Sequence, residues 1–401
     1  MSRRRGTGRV LIVVQNLPVP FDRRVWLECR TLIDMGHGVS VVCPKAPGEP
    51  SVQRIDGVTI YRYRPYAPGG RPAGFVGEYA YSFIMTAWLV AKAWRREGFD
   101  VLQACNPPDI FWPLGIVFRA LGCRFVFDHH DLCPELYESR FPEGRRAPYW
   151  GLRALEWLTF RSANHVISTN DSYRTIALNR GGKKDDEVTV VRNGPNVARA
   201  RRGPPDPSLR RDRRYLVAYL GVMGPQDGVD IVVRAADLVV NTFGHDDVTF
   251  ILMGHGDSFD ELVALRDRFG LGPYVEFTGR VPDDFVSAVL STADIGLSPD
   301  PSNPLNVLST MNKTMEYMAY ELPVVAFDLA ETRVSAADAA VYVEPNEVDR
   351  YAKAIVELLL DEPARRRMGA FGRTRIEDEL AWDHQRPRYR DLYARLLGDR
   401  G

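Results

Sequence analysis

The sequence predicts an α/β fold of two domains, each built on a parallel β-sheet that is flanked by helices. In both halves, short runs rich in Val, Ile, Leu and Phe alternate with segments of helical period. This alternation is typical of buried parallel strands joined by helices. A chain of 401 residues is also too long for one ordinary core, and domains of roughly 200 residues each are the natural expectation.

The predicted strands follow from these apolar runs. In the first half they are residues 10–14, 39–43, 58–63, 101–104, 125–127, 166–169 and 188–191. In the second half they are residues 216–220, 249–253, 275–277, 295–298, 324–327 and 341–343.

A segment without apolar period separates the two halves. It reads NGPNVARARRGPPDPSLRRDRR, and its Pro and Arg content indicates a linker. We therefore predict a first domain over residues 1–198, a linker over 199–214 and a second domain over 215–380. Two terminal helices are predicted over residues 363–379 and 384–397, and residues 381–401 are set apart from the second domain.

Composition narrows the class of protein. The formal net charge is zero, so no overall field favours nucleic acid as a partner. The cysteines show no metal-binding spacing, which predicts buried free thiols in a reducing compartment. Arg3–Arg5 precede a strand without a small-residue cleavage site, and the apolar run 79–91 is too short to span a bilayer. A cytoplasmic protein is expected.

The most informative segment runs from residue 294 to residue 328. It predicts a strand at 295–298, a polar loop, a helix over 309–320 and a strand at 323–327. A helical period places Met311, Met315, Met318 and Ala319 on one face, and Ser309, Asn312, Lys313 and Glu316 on the other.

The polar face has the chemistry of a nucleoside diphosphate site. Asn306, Ser309 and Thr310 lie in the loop and first turn, where free N–H groups and the helix dipole favour an anion. Lys313 adds a cation that suits a phosphate. Glu316 is a carboxylate that can accept two vicinal hydroxyls.

This segment resembles the nucleotide-sugar site of family-4 glycosyltransferases with the GT-B fold, particularly the branch similar to bacterial O-antigen and exopolysaccharide transferases. The family marker is a pair of glutamates eight positions apart. Glu316 matches the second glutamate, which binds the ribose in the family, whereas the first falls on Leu308. The resemblance implies two Rossmann-like domains that face a cleft, the first binding the acceptor and the second the nucleotide-sugar donor. It also implies a terminal helix that crosses back to the first domain.

Glycine-rich loops after strands of the second domain extend the predicted donor site. Gly221 and Gly224 follow the strand at 216–220, and Gly254 follows the next one. The family's Arg and Lys of the first loop fall on Val222 and Asp227, so Lys313, helix N-termini or arginines of the first domain must meet the phosphate charge. The resemblance also implies that backbone near Arg280 and Val281 contacts the base.

The loop after the first strand contributes two arginines. Asp22 is a candidate N-cap for a helix that starts at Arg23. Arg23 and Arg24 then lie in the first turn, where cations oppose the helix dipole. They are candidates for contact with donor phosphates or an anionic acceptor, and a solvated first turn is an equal alternative for either alone.

The loop that begins DHHDLC follows the strand at 125–127. Adjacent histidines at a strand end point to opposite sides, which argues against a metal site. The resemblance aligns His130 with a strand-end histidine that faces the sugar. His130 is thus predicted as a sugar or acceptor contact, Asp131 as an orienting or capping residue, and His129 as a packing residue.

No metal and no cofactor are predicted. The sequence contains no Asp-x-Asp pair, which metal-chelating glycosyltransferases of the other main fold use. The charge of the donor diphosphate would then be met by Lys313 and helix dipoles, with the nucleotide sugar as a substrate.

Aromatic and basic residues concentrate in residues 79–96 and 145–161. Two interpretations stay open for these segments. They are interfacial helices for a membrane-bound acceptor, or core helices with extended arginines at the surface.

The predicted function is a retaining glycosyltransferase that moves a sugar from a nucleotide diphosphate to a glycan or polyprenyl-linked acceptor at the cytoplasmic membrane face. The enzyme would position the acceptor and stabilise the leaving diphosphate. The alternatives are a nucleotide-sugar epimerase of the same fold and a non-catalytic nucleotide-sugar or membrane-binding module. An oxidoreductase is disfavoured because no strand is followed by GxGxxG.

One backbone feature is predicted at the end of the site helix. Pro323 cannot continue a helix and favours an extended Leu322, so the chain must reverse at Tyr320–Glu321. Glu321 is expected to take a positive φ.

Overall fold

The computed structural model describes residues 8–66 and 72–398. Arg3–Arg5, on which the signal-peptide prediction depends, lie outside the described residues.

The first sheet has the strand order β3-β4-β2-β1-β5-β6-β7-β8 and is parallel apart from the β3–β4 pair. Its strands are β1 Arg9–Val13, β2 Gly38–Pro44, β3 Val52–Ile55, β4 Val58–Tyr63, β5 Val101–Cys105, β6 Arg124–His129, β7 His165–Ser168 and β8 Val188–Val190. The predicted strands are present. The sequence reading missed β3 because this short edge strand alternates exposed and half-buried residues and has no apolar run.

Helices α1 to α6 connect these strands. They are α1 Arg23–Asp34, α2 Pro72–Arg96, α3 Trp112–Ala120, α4 Cys133–Arg140, α5 Arg146–Ser162 and α6 Asp171–Asn179. The predicted cap of α1 is confirmed, because the Asp22 carboxylate accepts a hydrogen bond from the Val25 N–H at 3.0 Å. Helices α2, α3 and α5 contribute to one hydrophobic core against the sheet.

The second sheet is parallel throughout, with the strand order β11-β10-β9-β12-β13-β14. Its strands are β9 Tyr215–Leu220, β10 Val248–Met253, β11 Val275–Gly279, β12 Ile295–Ser298, β13 Val324–Phe327 and β14 Ala340–Val343. The helices that follow are α7 Val229–Asp237, α8 Phe259–Arg268, α9 Asp283–Thr292, α10 Asn312–Ala319, α11 Ala330–Ala336, α12 Val348–Leu360, α13 Glu362–Arg375 and α14 Trp382–Gly398.

The chain divides into two compact units. One comprises Met1–Tyr137, Glu143–Arg192 and Gln385–Gly401, and the other comprises Glu138–Pro142 and Asn193–His384. The Pro/Arg-rich segment belongs to the second unit, where Arg210 pairs with Asp294 at 2.6 Å. Most of α14 belongs to the first unit.

Helix α10 is shorter than predicted. It begins at Asn312 rather than Ser309, because a 3-10 turn over Asn306–Leu308 is followed by extended backbone at Ser309. The Ser309 hydroxyl donates to the Leu305 carbonyl at 2.8 Å, and such local bonds compete with helix formation. Met315, Met318 and Ala319 are buried as expected, and Thr314 and Tyr317 are buried with them.

The turn after α10 agrees with the prediction. Glu321 has a φ of 59°. Its N–H donates to the Met318 carbonyl and the Leu322 N–H donates to the Tyr317 carbonyl, both at 3.0 Å. These two bonds form a Schellman motif, which requires a left-handed residue at this position.

The two terminal helices differ in their boundaries from the prediction. Helix α13 continues into a π-helical turn over Ile376–Leu380, and Trp382 begins α14 rather than lying between helices. The prediction of buried free thiols is confirmed for all five cysteines.

Among the described residues, no helix combines the length and the apolar character that a membrane crossing needs.

Candidate active site

The loop after β9 brings its backbone close to the loop after β10. Gly254 has a φ of 137°, and a Cβ built on it would lie 1.8 Å from the Gly221 carbonyl oxygen. Gly254 is therefore required by close backbone approach, whereas a Cβ on Gly221 would lie 2.8 Å from the Tyr219 hydroxyl oxygen and 3.2 Å from Lys313 Cε. The Gly224 N–H donates to the Asp227 carboxylate at 2.8 Å, which closes the first loop.

Lys313 is held in an ion pair, whereas the sequence suggested a cation free to meet phosphate. Its ammonium lies 2.5 Å from Asp300 Oδ1 and 5.2 Å from the centre of the Tyr219 ring. The other oxygen of Asp300 accepts from the Ser298 hydroxyl at 2.6 Å. Both charged side chains are almost fully enclosed, with exposed fractions of 10% for Lys313 and 3% for Asp300.

The charges around Lys313 keep it protonated. Burial opposes the charged form, but Asp300 and Asp227 outweigh it and raise the pKa of Lys313 above its ordinary value. Burial raises the pKa of Asp227 to about 6, against the opposing effect of Lys313. The carboxylates thus compensate the lysine charge in this structure.

The remaining predicted donor residues of this region mainly brace the loops. Asn306 is 3% exposed, and its amide donates to the carbonyls of Gln226 and Pro301 at 2.8 and 3.0 Å. The Thr310 hydroxyl donates to Glu331 at 3.3 Å. These contacts tie the loop after β12 to the loop after β9 and to α11.

Other predicted donor residues lie nearer the surface. Asn312 at the start of α10 is exposed, and Glu316 one turn later is half-buried. Arg280 is exposed and Val281 is half-buried directly after β11, where Gly279 has a φ of 67°. Their contacts with a nucleotide stay predictions.

In the first unit, the two predicted arginines differ in environment. Arg23 is exposed. Arg24 points into the protein, where its guanidinium lies 3.2 Å from Asp128 Oδ1 and 3.1 Å from Glu28 Oε1 and donates to the Val191 carbonyl at 2.9 Å. Arg24 therefore has internal partners that the sequence reading did not foresee.

His130 follows β6 and contacts the same cluster. Its Nε2 lies 2.8 Å from Asp128 Oδ2 and 3.0 Å from Arg24 Nε. The Asp131 carboxylate accepts from the Leu132 N–H at 2.9 Å just before α4, and its orienting or capping role stays a prediction. The carboxylate against the His130 ring is thus Asp128, for which the sequence reading gave no role.

His129 packs as predicted. It is 0% exposed, and its ring centre lies 5.1 Å from each of the rings of Phe127, Phe160 and Tyr173.

Family models match both halves of the chain. Residues 22–194 match a glycosyl transferase 4-like domain, and residues 214–361 match the glycosyl transferases of group 1. The chain belongs to the family-4 glycosyltransferases. The prediction of the family, and of an α/β fold with two parallel-sheet domains of the GT-B type, is therefore confirmed.

Individual proteins are similar to this glycosyltransferase at low identity. The phosphatidylinositol N-acetylglucosaminyltransferase GPI3 subunit of Saccharomyces cerevisiae is 23% identical over 66% of this chain, and the match spans only 56% of the yeast protein. A GDP-mannose-dependent alpha-(1-6)-phosphatidylinositol monomannoside mannosyltransferase of Mycobacterium tuberculosis is 28% identical, over 77% of this chain and 88% of its own. The structure of Anabaena HepE in complex with UDP-glucose covers 97% of this chain and 100% of its own, with 16% identity and a TM-score of 0.72.

One group of side chains in this glycosyltransferase has the geometry of a metal site. Among the described residues, Cys105, Asp128 and His130 each bring a ligand atom to within 4.8 Å of the others. However, the Arg24 guanidinium already contacts Asp128 and His130. A metal ion there would be repelled by the arginine, so we assign no metal to this group.

Sequence reasoning missed several polar residues of both units. Asp300 follows β12 by two positions, so a survey of polar residues after strands could have found it. The same survey would have found Asp128, which directly follows the predicted strand at 125–127. Glu28 and Gln103 gave no such signal, because a buried position in a helix or strand is not visible in a single sequence.

Proposed function

We propose that this protein is a retaining hexosyltransferase that transfers a sugar from a nucleotide diphosphate sugar to a lipid-linked glycan acceptor. Binding of the nucleotide-sugar donor is proposed from one observation. Lys313 at the start of α10 lies together with the glycine-containing loops after β9 and β10. These elements meet at the carboxyl edge of a parallel sheet, where ligands bind in such folds. The GDP-mannose dependence of the mycobacterial relative supports this donor class.

Binding of a diphosphate requires a change of partner for Lys313. Its ammonium pairs with Asp300, and a donor phosphate would have to share or replace that carboxylate. Helix α10 begins at Asn312 without a side-chain cap, and the dipole at a helix N-terminus favours an anion. Metal-independent neutralisation follows as part of the proposal, with no cofactor beyond the substrate.

The retaining mechanism is proposed from the carboxylates near His130 in the first unit. A double displacement needs a carboxylate that can attack the anomeric carbon. Asp128, which contacts His130, and the neighbouring Glu28 are both 0% exposed and engaged with Arg24. The Asp131 carboxylate, next along the chain, accepts from the Leu132 N–H. This favours same-face attack by the acceptor, with His130 as a contact for the sugar or the acceptor hydroxyl.

The lipid-linked acceptor is proposed from the outer surface of α2, α3 and α5. These helices bury one side against the first sheet. Their other side exposes half or more of Ile84, Trp88, Ile116, Val117, Trp150 and Trp157. Their basic residues are Lys92, Arg95, Arg96, Arg119, Arg146, Arg153 and Arg161, and their acidic ones are Glu78 and Glu156.

This composition fits an anionic lipid surface. Lys92 lies over the Trp88 ring at 5.1 Å and Arg161 over the Trp157 ring at 5.9 Å, so aromatic and cationic groups are paired at the surface. Glu156 is 0% exposed and does not oppose the positive charge. Trp rings and cations on one face are typical of interfacial binding. Both lipid-acting relatives support the same acceptor class.

The central experiment screens donors by thermal shift and by transfer. UDP, GDP, CDP and dTDP sugars would be tested with and without EDTA, on a polyprenyl-linked glycan acceptor. Transfer with an unchanged anomeric configuration in EDTA is expected. Conversion of the donor sugar without acceptor would favour the epimerase, and binding without any reaction would favour a non-catalytic module. Activity that is abolished by EDTA and restored by magnesium or manganese would refute metal independence.

Membrane contact is tested separately by cosedimentation with vesicles. The protein should bind phosphatidylglycerol vesicles more strongly than phosphatidylcholine vesicles. The Trp150→Ser/Trp157→Ser variant should lose this binding, whereas Leu360→Ser, at an exposed apolar residue of the second unit, should retain it. Equal vesicle binding by the two variants would contradict the proposal that this surface of α2, α3 and α5 contacts the membrane.

A further inference from the structure

The side chain of Asn106 contacts the backbone of the loop that carries His130. Asn106 directly follows β5 and is 1% exposed. Its Oδ1 accepts hydrogen bonds from the His130 N–H at 2.7 Å and from the Asp131 N–H at 3.1 Å. Its Nδ2 donates to the Asp131 carbonyl at 2.7 Å and to Asp109 Oδ1 at 3.1 Å. Both ends of this amide are therefore used, mainly on the backbone of two consecutive residues.

The loop needs these partners because the sheet ends just before it. The last residue of β6 to pair with β5 is Asp128, and the last to pair with β7 is His129. Helix α4 begins only at Cys133. The N–H groups of His130 and Asp131 thus lie beyond the last pair of either ladder, where a backbone N–H that is removed from water without a hydrogen bond is costly. The Asn106 side chain supplies the missing acceptor.

The partners of Asn106 also fix the orientation of its amide. An Asn amide has one accepting and one donating end, and its orientation follows from its partners. Two backbone N–H donors on one side require Oδ1 there. The Asp131 carbonyl, which can only accept, requires Nδ2 on the other side. A rotated amide would direct its NH₂ group at the two N–H donors and its oxygen at the Asp131 carbonyl.

Asn106 and Asp109 are themselves held by neighbouring elements. The Asn106 N–H donates to the Asp128 carbonyl at 3.2 Å. Asp109 is 3% exposed, and its carbonyl accepts from the Thr159 hydroxyl of α5 at 3.3 Å. The anchor of the loop is therefore tied to β6 and to α5. Because the backbone is fixed at His130 and at the next residue, the direction in which the His130 side chain leaves the loop is fixed as well.

We propose that Asn106 is a positioning residue that anchors the backbone of His130 and so directs its ring toward the sugar or the acceptor hydroxyl, and that Asp109 holds the Asn106 amide in the required orientation. This inference rests on the proposed function only for what the His130 ring contacts. The hydrogen bond that anchors His130 is a property of the protein alone, so it can be measured without a substrate.

Amide hydrogen exchange in histidine-labelled full-length protein tests the anchor directly. The chain has seven histidines, so nitrogen-15 labelling of histidine gives few amide signals, and His130→Gln assigns the relevant one. In Asn106→Ala, the His130 amide should exchange faster by roughly 10-fold or more, as expected when one buried hydrogen bond is lost. Wild-type exchange at His130 in folded Asn106→Ala would overturn the proposal.

Two other histidine amides serve as internal references. The His37 N–H donates to the Leu32 carbonyl and the His245 N–H donates to the Val239 carbonyl, both at 3.0 Å. Neither bond involves Asn106, so both amides should keep their wild-type exchange rates in Asn106→Ala. Equal acceleration at His37, His130 and His245 would reflect a general loss of stability and would also overturn the proposal.

Kinetics test the consequence for His130. In Asn106→Ala, kcat should fall by up to roughly 100-fold, as for a misplacement of about 1 Å. The donor KM should change little, because the predicted residues of the nucleotide site lie in the second unit. Faster exchange at His130 with an unchanged kcat would refute the positioning role.

Asn170→Ala is the matched control for both measurements. Asn170 belongs to the same unit, is 0% exposed, and its side chain likewise accepts from a backbone N–H, that of Tyr173 at 2.7 Å. This variant should leave the His130 exchange rate and kcat close to the wild type. Identical results for Asn106→Ala and Asn170→Ala would overturn the proposal.

A reciprocal substitution decides the proposal if Asn106→Ala does not fold. Asn106→Asp is close to isosteric and still accepts from both N–H groups, but it directs carboxylate oxygens at Asp109 and at the Asp131 carbonyl, so kcat should fall. Its His130 amide proton should move downfield, because a charged acceptor forms the stronger hydrogen bond. Addition of Asp109→Asn restores a donor to this contact and should recover part of kcat. An unchanged His130 amide signal, or no recovery in the double variant, would overturn the proposal.

The outcomes separate this inference from the proposed function. A wild type that transfers no sugar, together with faster His130 exchange in Asn106→Ala, would refute the function and retain the anchor. Wild-type transfer by Asn106→Ala would retain the function and refute the positioning role.

Discussion

At the scale of single residues, the structure changes the argument for Lys313. The sequence presented it as an isolated cation on a polar helix face, and the fold gives it Asp300 as a buried partner. The pairing could not be read from the sequence, because it depends on how the loop after β12 folds against α10. The Lys313 ammonium can still bind phosphate although Asp300 already compensates its charge. Removal of the ammonium, however, is expected to lower the free energy of unfolding as well as donor binding.

A substitution of Lys313 should therefore be combined with a substitution of its ion-pair partner Asp300. Lys313→Met alone leaves the Asp300 carboxylate buried without its cation, which should cost about 3–5 kcal/mol of unfolding free energy. The Lys313→Met/Asp300→Asn variant removes both charges and should recover much of that loss. Its transfer rate should stay far below the wild type if the ammonium contacts the donor. Chemical unfolding and a transfer assay give both values, and wild-type transfer by the double variant would make Lys313 purely structural.

Glu316 gives a second residue-scale prediction. If its carboxylate accepts both ribose hydroxyls, Glu316→Ala should weaken nucleotide binding by roughly 1.5–3 kcal/mol, as for hydrogen bonds to a charged group. Isothermal titration calorimetry with the preferred nucleoside diphosphate measures this. Glu357→Ala, on the exposed side of α12, is the control. Equal affinity of the two variants would remove Glu316 from the site.

At the scale of elements, strands were easier to predict than helix ends. The predicted strands are all present because buried parallel strands give continuous apolar runs. The start of α10 was wrong by three residues, since Ser309 and Thr310 use their hydroxyls in local and tertiary hydrogen bonds. The end of α10, predicted at Tyr320 and found at Ala319, differs by only one residue, because Pro323 restricts the backbone whatever surrounds it.

The turn at Glu321 allows a test of this element. A left-handed conformation at a non-glycine residue costs roughly 1 kcal/mol relative to glycine. Glu321 is exposed with a φ of 59°, so Glu321→Gly should stabilise the protein by about that amount without altering transfer. Glu357→Gly, within α12, should instead destabilise it by about 1 kcal/mol. Urea unfolding measures the stability of both variants. Destabilisation by Glu321→Gly would contradict the inference that the left-handed conformation of Glu321 is strained.

At the scale of the whole molecule, the sequence predicted the architecture but not the polar interior of the first unit. Periodicity and length indicate two parallel-sheet domains, and the family resemblance indicates their type. The cluster of Arg24, Glu28, Gln103, Asp128 and Tyr389 brings together residues from two helices and two strands far apart in the chain. The sequence draws attention to Arg24, after a candidate N-cap, and to Asp128, after a predicted strand. It does not show that they meet, because their contact depends on how the strands and helices pack.

The acid sensitivity of the whole fold should depend strongly on His129. Burial lowers the pKa of His129 to about 3, and the charges of Arg180 and His130 act in the same direction. In the unfolded chain a histidine has a pKa of about 6.5. As the pH falls below that value, the unfolded state therefore binds a proton that the folded state does not, and stability falls by about 1.4 kcal/mol per pH unit until the folded pKa is reached.

His129→Phe removes this proton from the balance and keeps a ring among Phe127, Phe160 and Tyr173. Between neutral pH and pH ~5, the wild type should lose about 2 kcal/mol of unfolding free energy relative to the variant. Groups that titrate in both proteins contribute equally to the two pH dependences, so their contribution cancels when the variant is compared with the wild type. One such group is His165, whose pKa is lowered by burial to about 4. Urea unfolding at the two pH values measures it. Parallel pH profiles for the two proteins would show that His129 stays neutral in the unfolded state or is protonated in the folded one.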